Sequence, residues 1–161
     1  MNYSLIREMD VTNGPGVRVT LFVSGCTHNC KECFNYEQQN FKYGKKFTKE
    51  TEDEFISYMK KDIISGANIL GGEPLMQDDS LYNLLKRIKE ETNKNIWLWT
   101  GYEMQEIPLN QRKVLDYVDV LIDGRFELDK RNLNLKYRGS ENQKVYFKEN
   151  GHFVIKDVDI F

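Results

Sequence analysis

The chain has 161 residues, with 23 Lys and Arg against 25 Asp and Glu and a net charge of -2, so nothing in its charge balance suggests nucleic acid or an anionic membrane as a partner. A hydrophobic share of 40% is ordinary for a globular protein with its own core, and no apolar run approaches the roughly 20 residues of a membrane span. The first ten residues lack the apolar stretch of a secretory signal, so one domain, residues 1–161, is expected in the cytoplasm.

Residues 17–23 alternate loosely and are rich in β-branched side chains, which predicts a strand running into Ser24-Gly25-Cys26. Thr51 and Glu54 have the spacing of a capping box. Phe55, Ile56, Met59, Ile63 and Ile64 then form one apolar helical face that stops near Gly66. Residues 67–70 read as a short buried strand ending in Gly71-Gly72-Glu73-Pro74, and Leu81, Leu84, Leu85 and Ile88 mark a second amphipathic helix. A third strand is predicted over 96–100, ending at Gly101, and a shorter helix over 111–116. A fourth strand covers 118–122 and ends at Asp123-Gly124. After Arg125, residues 145–148 and 153–155 are further strand candidates with no derivable place in the sheet.

Strands alternating with helices predict an α/β fold with a mainly parallel sheet and right-handed crossovers. A closed barrel of eight such units needs about 250 residues, so an open, partial (β/α) barrel is expected. All four predicted strands end in small or polar residues: Ser24-Gly25-Cys26, Gly71-Gly72-Glu73, Thr100-Gly101 and Asp123-Gly124. Parallel folds place their chemistry at that edge, so the four ends are expected to line one site.

The three cysteines of the chain all fall within Cys26-x-x-x-Cys30-x-x-Cys33. An odd, clustered set makes a poor disulfide framework and suits metal or cluster ligation. A four-iron cluster normally takes four thiolates, so three leave one iron open to a substrate or cofactor. The residues alone leave two alternatives: a Cys₃His zinc site completed by His28 or His152, and a redox dithiol at Cys30-x-x-Cys33. Gly71-Gly72-Glu73-Pro74 reads either as a strand-to-helix turn with Pro74 at a helix start, or as a place where a ligand approaches bare backbone while Glu73 and nearby carbonyls accept from its ammonium group.

Together, the cysteine motif and the Gly-Gly-Glu-Pro turn resemble the radical S-adenosylmethionine (SAM) superfamily. The run from Gly14-Pro15-Gly16-Val17-Arg18 through Ser24-Gly25-Cys26-Thr27-His28-Asn29-Cys30-Lys31-Glu32-Cys33-Phe34-Asn35 is similar to the activating proteins of anaerobic (class III) ribonucleotide reductases, the NrdG group. The same holds for Ile69 to Leu75, Trp99-Thr100-Gly101-Tyr102, Val120 to Phe126, and Tyr137-Arg138-Gly139-Ser140-Glu141-Asn142-Gln143.

The resemblance implies a [4Fe–4S] cluster on Cys26, Cys30 and Cys33, with the amino and carboxylate groups of SAM on the open iron. A flavodoxin-like donor would supply one electron, and SAM would split to methionine and a 5′-deoxyadenosyl radical that takes a hydrogen atom from a glycine of the reductase. By the same resemblance Glu32, Cys33 and Phe34 lie at the adenine end of SAM, Gly71, Gly72 and Glu73 at its amino group, and Thr100 and Gly101 at other polar groups. Glu32 departs from the small or aromatic residue usual before the third cysteine, which leaves its backbone to serve.

Several other residues keep two readings. His28 is either a hydrogen-bond partner of cluster sulfur or an exposed loop histidine. Trp97 and Trp99 alternate as core or interface residues, and Asp123 either lines the site or only shapes a turn. Residues 138–143 are polar, expected at the surface, and suited to docking a partner or closing the site. Phe34 and Tyr36 would shield the cluster loop.

Overall fold

The computed structural model describes residues 1–31, 33 and 36–158. Eight strands form one sheet: β1 (Asn2–Asp10), β2 (Val17–Ser24), β3 (Lys45–Lys46), β4 (Ile64–Gly71), β5 (Asn95–Trp99), β6 (Val120–Asp123), β7 (Lys144–Glu149) and β8 (His152–Ile155). Their spatial order is β3-β1-β2-β4-β5-β6-β7-β8, and the sheet does not close on itself. The four strands expected from sequence are its parallel centre, β2-β4-β5-β6. Antiparallel pairs flank them, β1 with β2 and β3 on one side, and β6 with β7 and β8 on the other. The architecture is therefore mixed α/β and open. The two C-terminal strand candidates form the hairpin that ends the sheet.

Helix α1 (Lys49–Met59) links β2 to β4, α2 (Asp79–Thr92) links β4 to β5, and a 3₁₀ helix (Leu109–Tyr117) links β5 to β6. The N-cap of α1 is Thr48, whose side chain accepts from Thr51 N at 3.2 Å. It lies three residues before the expected Thr51, and Glu50 and Glu52 then fall in the first turn, where the helix dipole favours them. The helix also stops sooner than its apolar spacing suggests. Ile63 is 58% exposed, and the buried Ile64 opens β4 instead of closing the helical face. Helix α2 has Asp78 as its N-cap and left-handed Asn93 as its C-cap.

Strand alternation sorts the side chains by face. Val19, Leu21, Val23, Ala67, Ile69, Ile96, Leu98 and Leu121 join Phe55, Ile56 and Met59 of α1 and Leu81, Leu84, Leu85 and Ile88 of α2 in the main core. A smaller cluster on Trp97, Val120, Ile122, Val145 and Val158 covers the β5-β6-β7 end, with Trp99 and Tyr137 against it. Arg18, Thr20 and Asn68, from the alternate positions of β2 and β4, are buried polar groups. Among the described residues, no helix is long and apolar enough to cross a membrane.

Candidate active site

A cavity of about 480 Å³ opens at the C-terminal ends of the parallel strands, within the size range of small-molecule sites. Its lining includes Cys26, Cys30 and Cys33 from the loop after β2, Gly71, Gly72 and Glu73 after β4, Thr100 and Gly101 after β5, and Gly124 after β6. The four strand ends thus meet as expected. Glu32, Phe34 and Asn35 lie outside the described residues.

The ends of β2 and β4 continue their pairing beyond the strands. Gly72 N donates to Val23 O and Glu73 N to Gly25 O, both at 2.8 Å. Gly71 has φ +115, and a Cβ there would sit 2.5 Å from Val23 O; at Gly72 it would sit 2.6 Å from Gly25 O. The adjoining strand end by itself therefore demands both glycines. Gly25 N and Cys26 N donate to Gln38 O and Gln39 O of the 3₁₀ turn Tyr36–Gln39, which holds the start of the cysteine loop. Thr27 contributes two contacts to Met76 Sδ at 3.4 Å. Tyr36 is 74% exposed.

All three cysteines are reduced and of intermediate burial. Burial is the main cause that pushes Cys26 up to about 11, with the Glu73 charge adding to it, against a backbone hydrogen bond from His28. Cys30 is also raised, mainly by burial, against a backbone hydrogen bond from Phe126. Metal binding at these thiols must displace protons. The donor set fits an iron–sulfur cluster: three soft thiols line the cavity, with backbone N–H groups directed at two of them, an arrangement that tunes such clusters. A single tetrahedral zinc ion would require sulfurs about 3.8 Å apart. Among the described residues, no three His, Cys, Asp or Glu groups are grouped to hold one ion. His152 opens β8 at the edge of the sheet, four strands beyond β4.

Glu73 is fully buried. One carboxylate oxygen accepts from Leu75 N at 2.9 Å and Thr100 Oγ1 at 2.8 Å. The other lies 2.7 Å from both Gly101 N and His28 Nε2. Two oxygens with four donors have no acceptor capacity to spare. The carboxylate therefore ties together the ends of β4 and β5 and the cysteine loop, which leaves it no lone pair for a ligand ammonium group. His28 is not an exposed loop residue: its side chain is 4% exposed and bonded to Glu73, and its hydrogen bond to sulfur comes from the backbone, toward Cys26.

Asp123 does not line the cavity. It is buried and accepts from Met104 N at 2.9 Å and Lys144 N at 3.2 Å, so it shapes the chain around β6. Trp97 is core, whereas Trp99 reaches the cavity and donates from Nε1 to Tyr137 O at 2.6 Å. Residues 138–143 are less exposed than their polarity suggests. Ser140 is fully buried, and Arg138, Gly139 and Gln143 form part of the cavity wall. Gln143 Oε1 accepts from Gly139 N and Ser140 N, while its Nε2 donates to Gly124 O at 2.9 Å.

Thr12 and Asn13 also reach the cavity, on the turn after β1. Sequence reasoning missed them because it missed that strand; the signal was Asp10, whose carboxylate accepts from Thr12 N at 2.8 Å in an Asx turn.

Residues 12–146 match the family described as "4Fe-4S single cluster domain". The chain is 41% identical over 151 residues to the anaerobic ribonucleoside-triphosphate reductase-activating protein of Vibrio cholerae, covering 91% of this chain and 97% of that one. It is 42% identical over 156 residues to the protein of the same name from Enterobacteria phage T4, covering 94% and 97%. With that of Escherichia coli K12 the identity is 40% over 151 residues, covering 91% and 98%. The chain belongs to the anaerobic ribonucleoside-triphosphate reductase-activating proteins. As a member of that family, it presents its three cysteines and its Gly-Gly-Glu-Pro turn to one shared cavity.

Proposed function

We propose that this chain is a radical SAM activase that reductively cleaves SAM at a [4Fe–4S] cluster and generates a glycyl radical on anaerobic ribonucleotide reductase. The observation that carries this reading is the convergence of Cys26, Cys30 and Cys33 with Gly71, Gly72, Glu73, Thr100 and Gly101 on one cavity. The names of the relatives support the reductase as partner. When bound, the cluster and SAM supply one-electron cleavage of the sulfonium to methionine and a carbon radical able to take a hydrogen atom from glycine.

The residues of the chain bind, orient and exclude water. Cys26, Cys30 and Cys33 would hold the cluster, and three thiolates would leave one iron without a protein ligand. The backbone at Gly71 and Gly72 would receive the methionine ammonium group, while Glu73 fixes that turn. Thr100 and Gly101 would meet further polar groups of SAM and Cys33 its adenine end, a role the resemblance extends to Glu32 and Phe34, outside the described residues. The wall from Phe126 to Gln143 and the Trp99 ring shield the site from solvent. The open sheet then works as a partial (β/α) barrel of the radical SAM type, in a single domain and in the cytoplasm. Its electron comes from a flavodoxin-like donor.

The test is anaerobic reconstitution with iron and sulfide, followed by reductant, SAM and a class III reductase. The expected results are about four irons per chain, equimolar methionine and 5′-deoxyadenosine, and a glycyl doublet on the reductase in electron paramagnetic resonance. Alanine at any one of Cys26, Cys30 or Cys33 should abolish SAM cleavage; an undiminished yield of 5′-deoxyadenosine refutes the assignment.

A further inference from the structure

The loop between β2 and the 3₁₀ turn carries the cysteines, whereas the proposed SAM-facing turns follow β4 and β5. A cluster on one and a cofactor on the other can react only if the two loops are held in fixed relation. His28, between Cys26 and Cys30, makes a side-chain bond across that gap. Its Nε2 lies 2.7 Å from Glu73 Oε1, and the same oxygen accepts from Gly101 N at 2.7 Å. Opposite an ionised carboxylate, which only accepts, Nε2 is the donor in the tautomer that makes this bond. The ring also packs edge-on against Tyr102, with centroids 4.6 Å apart and planes at 81°. On its other flank, a Cβ added at Gly101 would fall 2.5 Å from the imidazole. Carboxylate, aromatic edge and bare backbone thus hold one ring from three directions.

We infer that His28 is a positioning residue, one that sets the cysteine loop against the Gly71-Gly72-Glu73 and Thr100-Gly101 turns so that cluster and SAM meet in register. The inference rests on the proposed function. It assigns His28 neither a ligand bond nor a proton transfer. Removing the imidazole leaves three thiols for the cluster but frees the loop that carries them. Glutamine places an N–H near the position of imidazole Nε2 and restores the bond to Glu73.

The experiment compares wild type, His28→Ala and His28→Gln as reconstituted holoenzymes without the reductase. Three quantities are read: iron per chain, SAM dissociation constant, and the change that SAM produces in the electron paramagnetic resonance spectrum of the reduced cluster. His28→Ala should keep its iron, bind SAM about 10- to 100-fold more weakly and lose most of the SAM-induced spectral change. His28→Gln should recover most of both.

Wild-type SAM affinity and spectral response in His28→Ala overturn the inference, as does a glutamine variant no better than alanine. Loss of iron from a still-folded His28→Ala makes the residue a ligand and overturns it too. Unfolding of both variants by circular dichroism assigns His28 to stability alone, which also overturns it. If wild type itself holds no iron or no SAM, the proposed function fails first, and that result is separate from every comparison among the variants.

Discussion

Glu73 offers a sharp test of the reasoning, because its carboxylate joins three separate chain segments and is fully buried. Alanine there removes the acceptor for four donors at once. Gly101 N and His28 Nε2 are only part-buried, so cavity water can replace the oxygen they lose. Leu75 N and the Thr100 hydroxyl hydrogen are buried and lose their acceptor, although Thr100 Oγ1 still accepts from Tyr102 N. At about 1–3 kcal/mol for each stranded buried donor, Glu73→Ala should cost about 4 kcal/mol. Glutamine is milder. Its oxygen can serve His28 and Gly101 while Thr100 Oγ1 turns to accept from its amide, which strands Leu75 N alone at about 2 kcal/mol. With a urea slope of about 2 kcal/mol per molar, the midpoint should fall by about 2 M for alanine and about 1 M for glutamine. The assay is equilibrium unfolding of the cluster-free protein followed by circular dichroism. An alanine variant within about 0.5 kcal/mol of wild type, a typical surface-substitution effect, would show that Glu73 holds nothing together.

Folded Glu73→Gln should keep its iron while binding SAM more weakly; normal SAM affinity with iron lost contradicts the role given to the turn. Arg18→Met should cost about 2 kcal/mol, because it strands the buried Asn68 Oδ1, and relief from burying the guanidinium offsets only part of this; denaturant titration checks it. Gly71→Ala should cost about 3 kcal/mol or more, since φ +115 and a Cβ 2.5 Å from Val23 O leave no relaxed conformation; thermal unfolding reads it. For the Asp10 carboxyl, burial raises the pKa, but hydrogen bonds from Thr20, Asn13 and Thr12 outweigh it and hold the group well below its usual 3.8. A depressed carboxyl adds stability that is complete above the unfolded value and lost as pH falls through the folded one. Asp10→Asn should therefore be less stable near neutrality, with a flatter loss of stability below pH 3.8 in unfolding titrations.

The four parallel strands were legible because central strands, covered on both faces, are written as apolar, β-branched runs, as in residues 96–99 and 120–122. Strand β1 was not. Its register slips between Tyr3 and Leu5 and again between Arg7 and Asp10, which breaks the alternation a reader looks for. Leu5 at 44% and Met9 at 52% exposure show how little of that strand is buried. The start of α1 was misplaced because Thr48 and Thr51 both suit a cap, and spacing alone does not choose between them. At the site, spacing showed which residues share an edge but not what each touches. That Glu73 faces inward to four donors, and that His28 is one of them, depends on the distance between two loops 45 residues apart. Residues 138–143 read as surface because nearly all are polar, yet Gln143 bonds back to Gly139 and Ser140, and Gln143 and Asn142 donate to the chain after β6.

The face of β2 and β4 opposite the helices explains why the molecule tolerates a buried guanidinium. Arg18 is fully buried, and the described residues hold no carboxylate in ion-pair contact with it. It donates instead to Asn68 Oδ1 at 2.7 Å and Asn95 Oδ1 at 2.6 Å, with the Trp97 ring 5.3 Å away. Burial lowers its pKa to about 10, against the Asp10 and Asp119 charges. Burying a cation carries a desolvation cost that an apolar residue would not. The network it starts, however, leads to the cavity. Asn68 Nδ2 donates to Asn13 O at 2.6 Å and to Thr20 Oγ1 at 3.2 Å, and Thr20 Oγ1 donates to Asp10, which in turn holds Thr12 and Asn13. Arg18 does not line the cavity, but Thr12 and Asn13 do. The polar floor therefore fixes one rim of the site from beneath, much as Glu73 fixes the opposite one. A substitution at Arg18 should then disturb ligand binding from a position that no ligand touches.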